Sequence, residues 1–179
     1  MTDQYLIDTH ALQVTCDPLA SLVLIGAWTD QCDRLKDHLR DVLGMALDGP
    51  QQTAIEAGNT TFYPVTPYKW LIASPKDANH FARLRKGFST RIGSLSDQSH
   101  GRMAFSVRGP QGSALLARGL PLDPAHHMRN KGRFVQTRMH DANVLVHRRD
   151  VDHFVMLVPT SFAHSVGDWM IQACKNITN

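Results

Sequence analysis

The chain has 179 residues, 42% of them hydrophobic and 20% charged, with a formal net charge of +3. That balance excludes a disordered or low-complexity chain, and no apolar run approaches the ~18 residues that a membrane helix needs. The length predicts one compact domain over residues 1–179, or two closely packed subdomains over 1–90 and 91–179. The opening Met1-Thr2-Asp3-Gln4 has no basic n-region, and Leu6-Ile7 is followed at once by Asp8, Thr9 and His10, so a cytoplasmic location is expected. Cys16, Cys32 and Cys174 are odd in number and far apart, which predicts reduced, packed thiols. Charge is unevenly spread. Between Arg83 and Arg149 the cations far outnumber Asp97, Asp123 and Asp141, whereas the flanks are net acidic. A basic middle can be steered onto a protein, an anionic cofactor or a nucleic acid.

Residues 12–16 alternate apolar and polar, as a half-buried strand does. Residues 21–28 are uniformly apolar, the pattern of a central strand covered on both faces. Thr29 is placed to cap a helix with Asp30 and Asp33 in its first turn, Leu35, Leu39, Val42 and Leu43 on its apolar stripe, and Gly44 as its stop. Residues 48–59 are turn-rich. Residues 60–65 predict a short strand with Pro64 at an edge or exit, and residues 68–73 a firmer one. Ser74-Pro75-Lys76-Asp77 predicts a helix entry, with Ala78, Phe81, Leu84 and Phe88 facing inward. A turn at residues 96–101 then leads to a strand over 103–107 and a helix from Pro110 to Gly119. Residues 134–139, 143–147 and 153–158 predict three strands joined by tight turns. A last helix, capped by Ser161, carries Phe162, Val166, Trp169, Met170 and Cys174. The class is α+β, a mostly antiparallel sheet with helices packed on one side.

Candidate chemistry is thin. Ten histidines invite a metal site, notably His126-His127 and the series His140, His147 and His153, but no HExxH or paired CxxC accompanies them. Ser99 and His100 are adjacent and would point to opposite faces of a strand, and no GxSxG, Walker loop or GxGxxG occurs. Glu56 is the only glutamate, so paired-carboxylate chemistry is hard to assemble. Arg129, Lys131, Arg133, Arg138 and Trp169 are the candidate partner-interface residues, because Arg and Trp concentrate at such surfaces. A phosphate-binding surface for nucleic acid is the rival explanation of the cations, without the aromatic or GXXG signatures of known modules. Asp97, His100 and Arg102 stand in the 96–102 turn, where Asp97 is expected to bond backbone two residues on.

Several pieces together resemble a known family. They are Ser96-Asp97-x-Ser99-His100-x-Arg102, Arg108-Gly109-Pro110, Gly119-Leu120-Pro121-Leu122-Asp123, Gln136-Thr137-Arg138, Val144-Leu145-Val146-His147-Arg148, and the run from Phe154 through Leu157-Val158-Pro159 to Ser161-Phe162-Ala163. In order and spacing they resemble the gamma subunit of heterotetrameric sarcosine oxidase across the second half of the chain. More distantly, they resemble the aminomethyltransferase of the glycine cleavage system. The resemblance implies a folate-binding one-carbon-domain-like fold in a non-catalytic subunit of an oxidoreductase that demethylates sarcosine to glycine and passes the one-carbon unit to tetrahydrofolate. It implies alpha, beta and delta partner subunits that hold FAD, FMN, NAD, zinc and tetrahydrofolate, and no catalytic, cofactor-binding or metal residue in this chain. A subunit of a related N-methyl amino acid dehydrogenase and an independent folate-binding one-carbon transferase are the alternatives. The first half matches mainly through Tyr68-Lys69-Trp70-Leu71, and the pair His126-His127 departs from the family pattern.

Overall fold

The computed structural model describes residues 5–44, 49–75 and 79–175. Within it the chain forms two compact units, Leu19–His100 and a unit built from Met1–Pro18 together with Gly101–Asn179. Strand pairing decides this division, which falls elsewhere than between residues 90 and 91. Residues 93–97 pair with the strand that starts at Ser21, and residues 13–18 pair with the one that starts at Arg102.

The unit from two chain segments holds strands β1 (Tyr5–Asp8) and β2 (Gln13–Pro18) from the amino-terminal segment. The unit Leu19–His100 supplies β3 (Ser21–Ala27), α1 (Cys32–Leu43), β4 (Ile55–Ala57), β5 (Thr60–Thr66), β6 (Lys69–Ser74), α2 (His80–Arg85) and β7 (Gly93–Asp97). The chain then returns to the first unit with β8 (Arg102–Arg108), α3 (Gly112–Ala117), α4 (Pro124–His127), β9 (Phe134–Met139), β10 (Ala142–Asp150), β11 (His153–Pro159) and α5 (Thr160–Lys175). All recorded strand pairs are antiparallel, in a six-stranded sheet ordered β1-β2-β8-β11-β10-β9 and a five-stranded sheet ordered β4-β5-β6-β3-β7. The α+β class holds, with two sheets where one was expected.

In the six-stranded sheet, period-two alternation sends Val14, Phe105, Val107, Val144, Val146, Phe154 and Met156 to one face. There they pack with Leu115 and Leu116 of α3 and Val166, Met170 and Cys174 of α5 in one buried cluster. At ~25 cal/mol per Å² of apolar surface removed from water, such a cluster is the main stabilising element of the unit. Gly109 closes the turn after β8 at φ 115°, and a Cβ there would stand 2.4 Å from the Ala11 carbonyl oxygen. This is why the Arg108-Gly109-Pro110 run needs its glycine. The helix expected from Pro110 to Gly119 is confined to α3, and Pro124 opens the unexpected α4, whose Asp123 cap accepts a hydrogen bond from the Ala125 N–H at 2.9 Å.

In the five-stranded sheet, Val23, Ile25, Phe62, Trp70 and Ile72 share a core with Leu35 and Leu39 of α1 and Leu84 of α2. Thr29 does not cap α1. The Gln31 N–H donates to the Trp28 carbonyl at 2.9 Å, so a turn precedes the helix; Asp30 lies outside it and Asp33 alone is acidic in its first turn. Gly44 ends it at φ 70°. Pro64 is accommodated because β4 pairs only with residues 60–62 of β5, leaving Pro64 with a neighbour on one side. Lys76, Asp77 and Ala78 of the expected helix entry lie outside the described residues; α2 runs through Phe81 and Leu84 but ends before Phe88. Ser161 lies inside α5, which begins directly after β11. Among the described residues, no helix is long and apolar enough to cross a membrane.

Candidate functional site

The turn that ends β7 is held from both sides. The Gln98 N–H donates to the Leu22 carbonyl at 2.7 Å, and the Leu22 N–H donates back to Ser99 Oγ at 3.1 Å. Ser99 in turn donates its hydroxyl to Asp97 Oδ1 at 2.6 Å and its N–H to the same oxygen at 3.0 Å. Asp97 therefore bonds two residues ahead in an Asx turn. The Ser99 bonds hold its carboxyl below the usual carboxylate range, the hydroxyl bond first and the backbone bond second. His100 is exposed. In the other unit, Arg102 is half-buried, donates to the Leu157 carbonyl at 3.4 Å, and has its pKa lowered by burial.

The five candidate interface residues fall into two groups at opposite ends of β9. Arg129, Lys131 and Arg133 lie on the loop that enters the strand, and Arg138 and Trp169 lie near its exit. At ~3.3 Å per residue the strand separates them by about 17 Å. The entering loop is organised by a residue outside the candidate set. Arg148 Nη1 donates to the Met128 and Arg129 carbonyls at 3.2 and 3.1 Å, Nη2 to Val151 at 2.8 Å and Nε to Asp150 at 3.3 Å. Its guanidinium also sits 5.6 Å from the Phe154 ring centroid. Arg129 and Lys131 remain exposed, and Lys131 pairs with Asp150 at 3.2 Å. Such an exposed pair contributes little to stability. At the exit, Arg138 approaches Asp141 at 3.8 Å. Trp169 is half-buried, edge-on to His140 at 5.4 Å between ring centroids, with Gly119 so close that a Cβ there would meet the indole at 2.6 Å.

The histidines separate by environment. His126 and His127 are exposed on α4, their rings 5.3 Å apart. His147 is buried and His153 half-buried on adjoining strands. Burial, then the charge of Arg149, then that of His153 lower His147 to about 4; burial, then Arg108 and Arg149, lower His153 to about 4. His153 Nε2 lies 3.0 Å from Ser106 Oγ, a pairing across β8 and β11 that adjacency in sequence could not reveal. Elsewhere, a cavity of about 280 Å³ in Leu19–His100 is lined by Phe62, Leu43, Asn59, Thr60, His80 and Arg83, with His80 Nε2 3.0 Å from Thr60 Oγ1. Among the described residues no group of three His, Cys, Asp or Glu side chains could hold a metal ion.

No protein-family model and no curated protein sequence matches the chain. Its fold does match solved structures. A chain of the heterotetrameric sarcosine oxidase from Corynebacterium sp. U-96, in complex with pyrrole 2-carboxylate, superimposes with a TM-score of 0.80 at 18% identity, over 93% of this chain and 86% of that one. The two chains share one fold. The glycine cleavage system aminomethyltransferase T from Bartonella henselae has the same fold over part of its length, with a TM-score of 0.60 at 17% identity, covering 88% of this chain but 45% of that protein. The likeness expected from the motifs between Ser96 and Ala163 therefore holds at the level of the fold and extends across the first half of the chain, where the sequence carried few of them.

Proposed function

We propose that this chain is a non-catalytic, gamma-type subunit of a multi-subunit flavin-dependent sarcosine oxidase, with a role in assembling and stabilising the complex. The complex oxidises the CH–NH bond of sarcosine and passes the one-carbon unit to tetrahydrofolate. FAD, FMN, NAD, zinc and tetrahydrofolate belong in this proposal to alpha, beta and delta partners, in the cytoplasm. The observation that carries it is the extent of the fold likeness: 86% of a heterotetrameric sarcosine oxidase chain is covered, against 45% of the aminomethyltransferase. The exposed Arg129, Lys131 and Arg138 supply the cationic rim of the partner surface, where planar guanidinium groups pair with carboxylates.

Co-expression of the untagged chain with tagged large flavin-containing subunits tests this. Stoichiometric co-purification is expected, and a monomer that associates with none of them refutes it. A subunit of a related N-methyl amino acid dehydrogenase would co-purify equally and differ in the amine oxidised. The fold it shares with part of the aminomethyltransferase favours one further reading, an independent folate-binding transferase. Tight binding of tetrahydrofolate to the isolated chain by calorimetry would establish that reading instead.

A further inference from the structure

The face of the six-stranded sheet opposite α3 and α5 carries, beside the buried Leu145 and Leu157, a polar cluster that the proposed subunit role does not use. Register places His153 opposite Arg108, Arg108 opposite Gln13, and Ser106 between Thr15 and Val155. All of these face away from the Phe105, Val107 and Phe154 core. Arg108 Nε donates to Ser106 Oγ at 3.2 Å, and Ser106 Oγ lies 3.0 Å from His153 Nε2. The hydroxyl oxygen accepts from Arg108, which leaves its proton available to His153 Nε2 whenever that ring is neutral and carries its proton on Nδ1.

Arg149 adds its charge to that of Arg108 at His153, and burial weakens solvent screening. Asp150, the acid whose charge acts on His153, bonds to Lys131 and to the Val151 N–H. Among the described residues, Arg108 has no carboxylate partner. Its exposed guanidinium has spent Nε on Ser106, and its terminal nitrogens form a fork of the geometry that carboxylate and phosphate oxygens match.

We propose that Arg108, Ser106 and His153 form a binding site for the carboxylate or phosphate group of a small ligand on this face of the sheet. The Arg108 fork holds two of its oxygens, and Ser106 turns its hydroxyl toward a third contact. His153, released as an acceptor, takes up a proton and donates it in a hydrogen bond to the anion. Binding is thus coupled to proton uptake and tightens as pH falls. The groups that bear on His153 are Arg108 and Ser106 from β8, Arg149, Asp150 and His147 from β10, and Gln13 and Thr15 from β2 beside them.

The test is NMR titration of the histidine rings in the isotope-labelled full chain, with inorganic phosphate or acetate as the probe and chloride holding ionic strength equal. In either oxyanion the His153 pKa is expected to rise by about one unit or more relative to chloride. A larger response to phosphate would assign a phosphate ligand, and a larger response to acetate a carboxylate. Arg108→Gln should abolish the response while the remaining spectrum stays native, and Ser106→Ala should weaken it. The proposal is overturned if His153 titrates identically in all three salts, or if Arg108→Gln leaves the response intact. Because the readout needs no partner subunit, its failure is separate from any failure of the subunit reading.

Discussion

Replacing Arg148 tests whether one side chain organises the cationic loop. Its guanidinium reaches four backbone carbonyls and the Phe154 ring. Hydrogen bonds from a charged donor contribute about 1.5–3 kcal/mol each when well formed. Only the Val151 contact, at 2.8 Å, is short; the other three lie between 3.1 and 3.3 Å, two of them share Nη1, and the side chain is half-buried. Discounted for that geometry and exposure, Arg148→Met should cost about 3 kcal/mol, less than the full sum of four charged bonds. In a chain of this length each kcal/mol moves the melting temperature by about 2–4 °C, so a fall of about 6–12 °C is expected by circular dichroism. Arg148→Lys keeps the charge but not the planar fork, and should recover less than half of the loss. Amide exchange at residues 128–133 and at Val151 should rise in both variants. If Arg148→Met melts within about 1 °C of the parent with unchanged exchange in the loop, Arg148 does not organise it.

Three further outcomes follow from burial and backbone geometry. His147 titrates near 4 in the fold against an ordinary 6.5, so the unfolded chain binds more protons between those values. Its contribution to stability is complete above about pH 6.5 and is lost by about pH 4, amounting to about 3 kcal/mol for this buried ring; chemical denaturation across that range should show a shallower acid loss in His147→Gln. Gly109→Ala combines a positive φ with a Cβ 2.4 Å from the Ala11 oxygen, and should destabilise by more than the ~1–3 kcal/mol of strain alone, read as a lowered urea midpoint. Burial, reinforced by Asp17, pushes the Cys16 thiol up to about 11 from an ordinary 9.0. Its alkylation by iodoacetamide near pH 8 should run about a hundredfold slower than that of a peptide thiol, since the thiolate is the nucleophile; peptide-level mass spectrometry distinguishes this from equal rates.

The strands legible in sequence are those whose own pattern decides their state. Residues 134–139, 143–147 and 153–158 announce themselves by β-branched and aromatic runs between tight turns, and the structure lengthens only the middle one appreciably. β1, β4 and β7 were not foreseen because each is short and exists through its partner: Gly93–Asp97 has little apolar content and is a strand because β3 lies beside it. Thr29 shows the same limit in reverse. A capping residue next to acids is a sound local signal, yet the Trp28–Gln31 turn displaces the helix start by a few residues. At the candidate site, Asp97 was readable because its Asx bond spans two residues. Arg148, Ser106 and His153 were not, since their roles rest on contacts between separate strands and turns.

The two chain segments that build the six-stranded sheet meet where β2 lies against β8, with Pro18 opposite Met103 and Asp17 opposite Ala104. Residues 19–100 thus leave and re-enter that sheet at neighbouring positions, like a passage inserted between two halves of one sentence. Growth from the amino terminus must then proceed out of spatial order. β2 waits with its inner edge unpaired while the whole of Leu19–His100 is made, and that unit can close first because, among the described residues, its strands pair with one another. The same arrangement leaves a ready point for redesign: a short hairpin turn joining Pro18 to Met103 would preserve the β2–β8 ladder while removing the insert altogether.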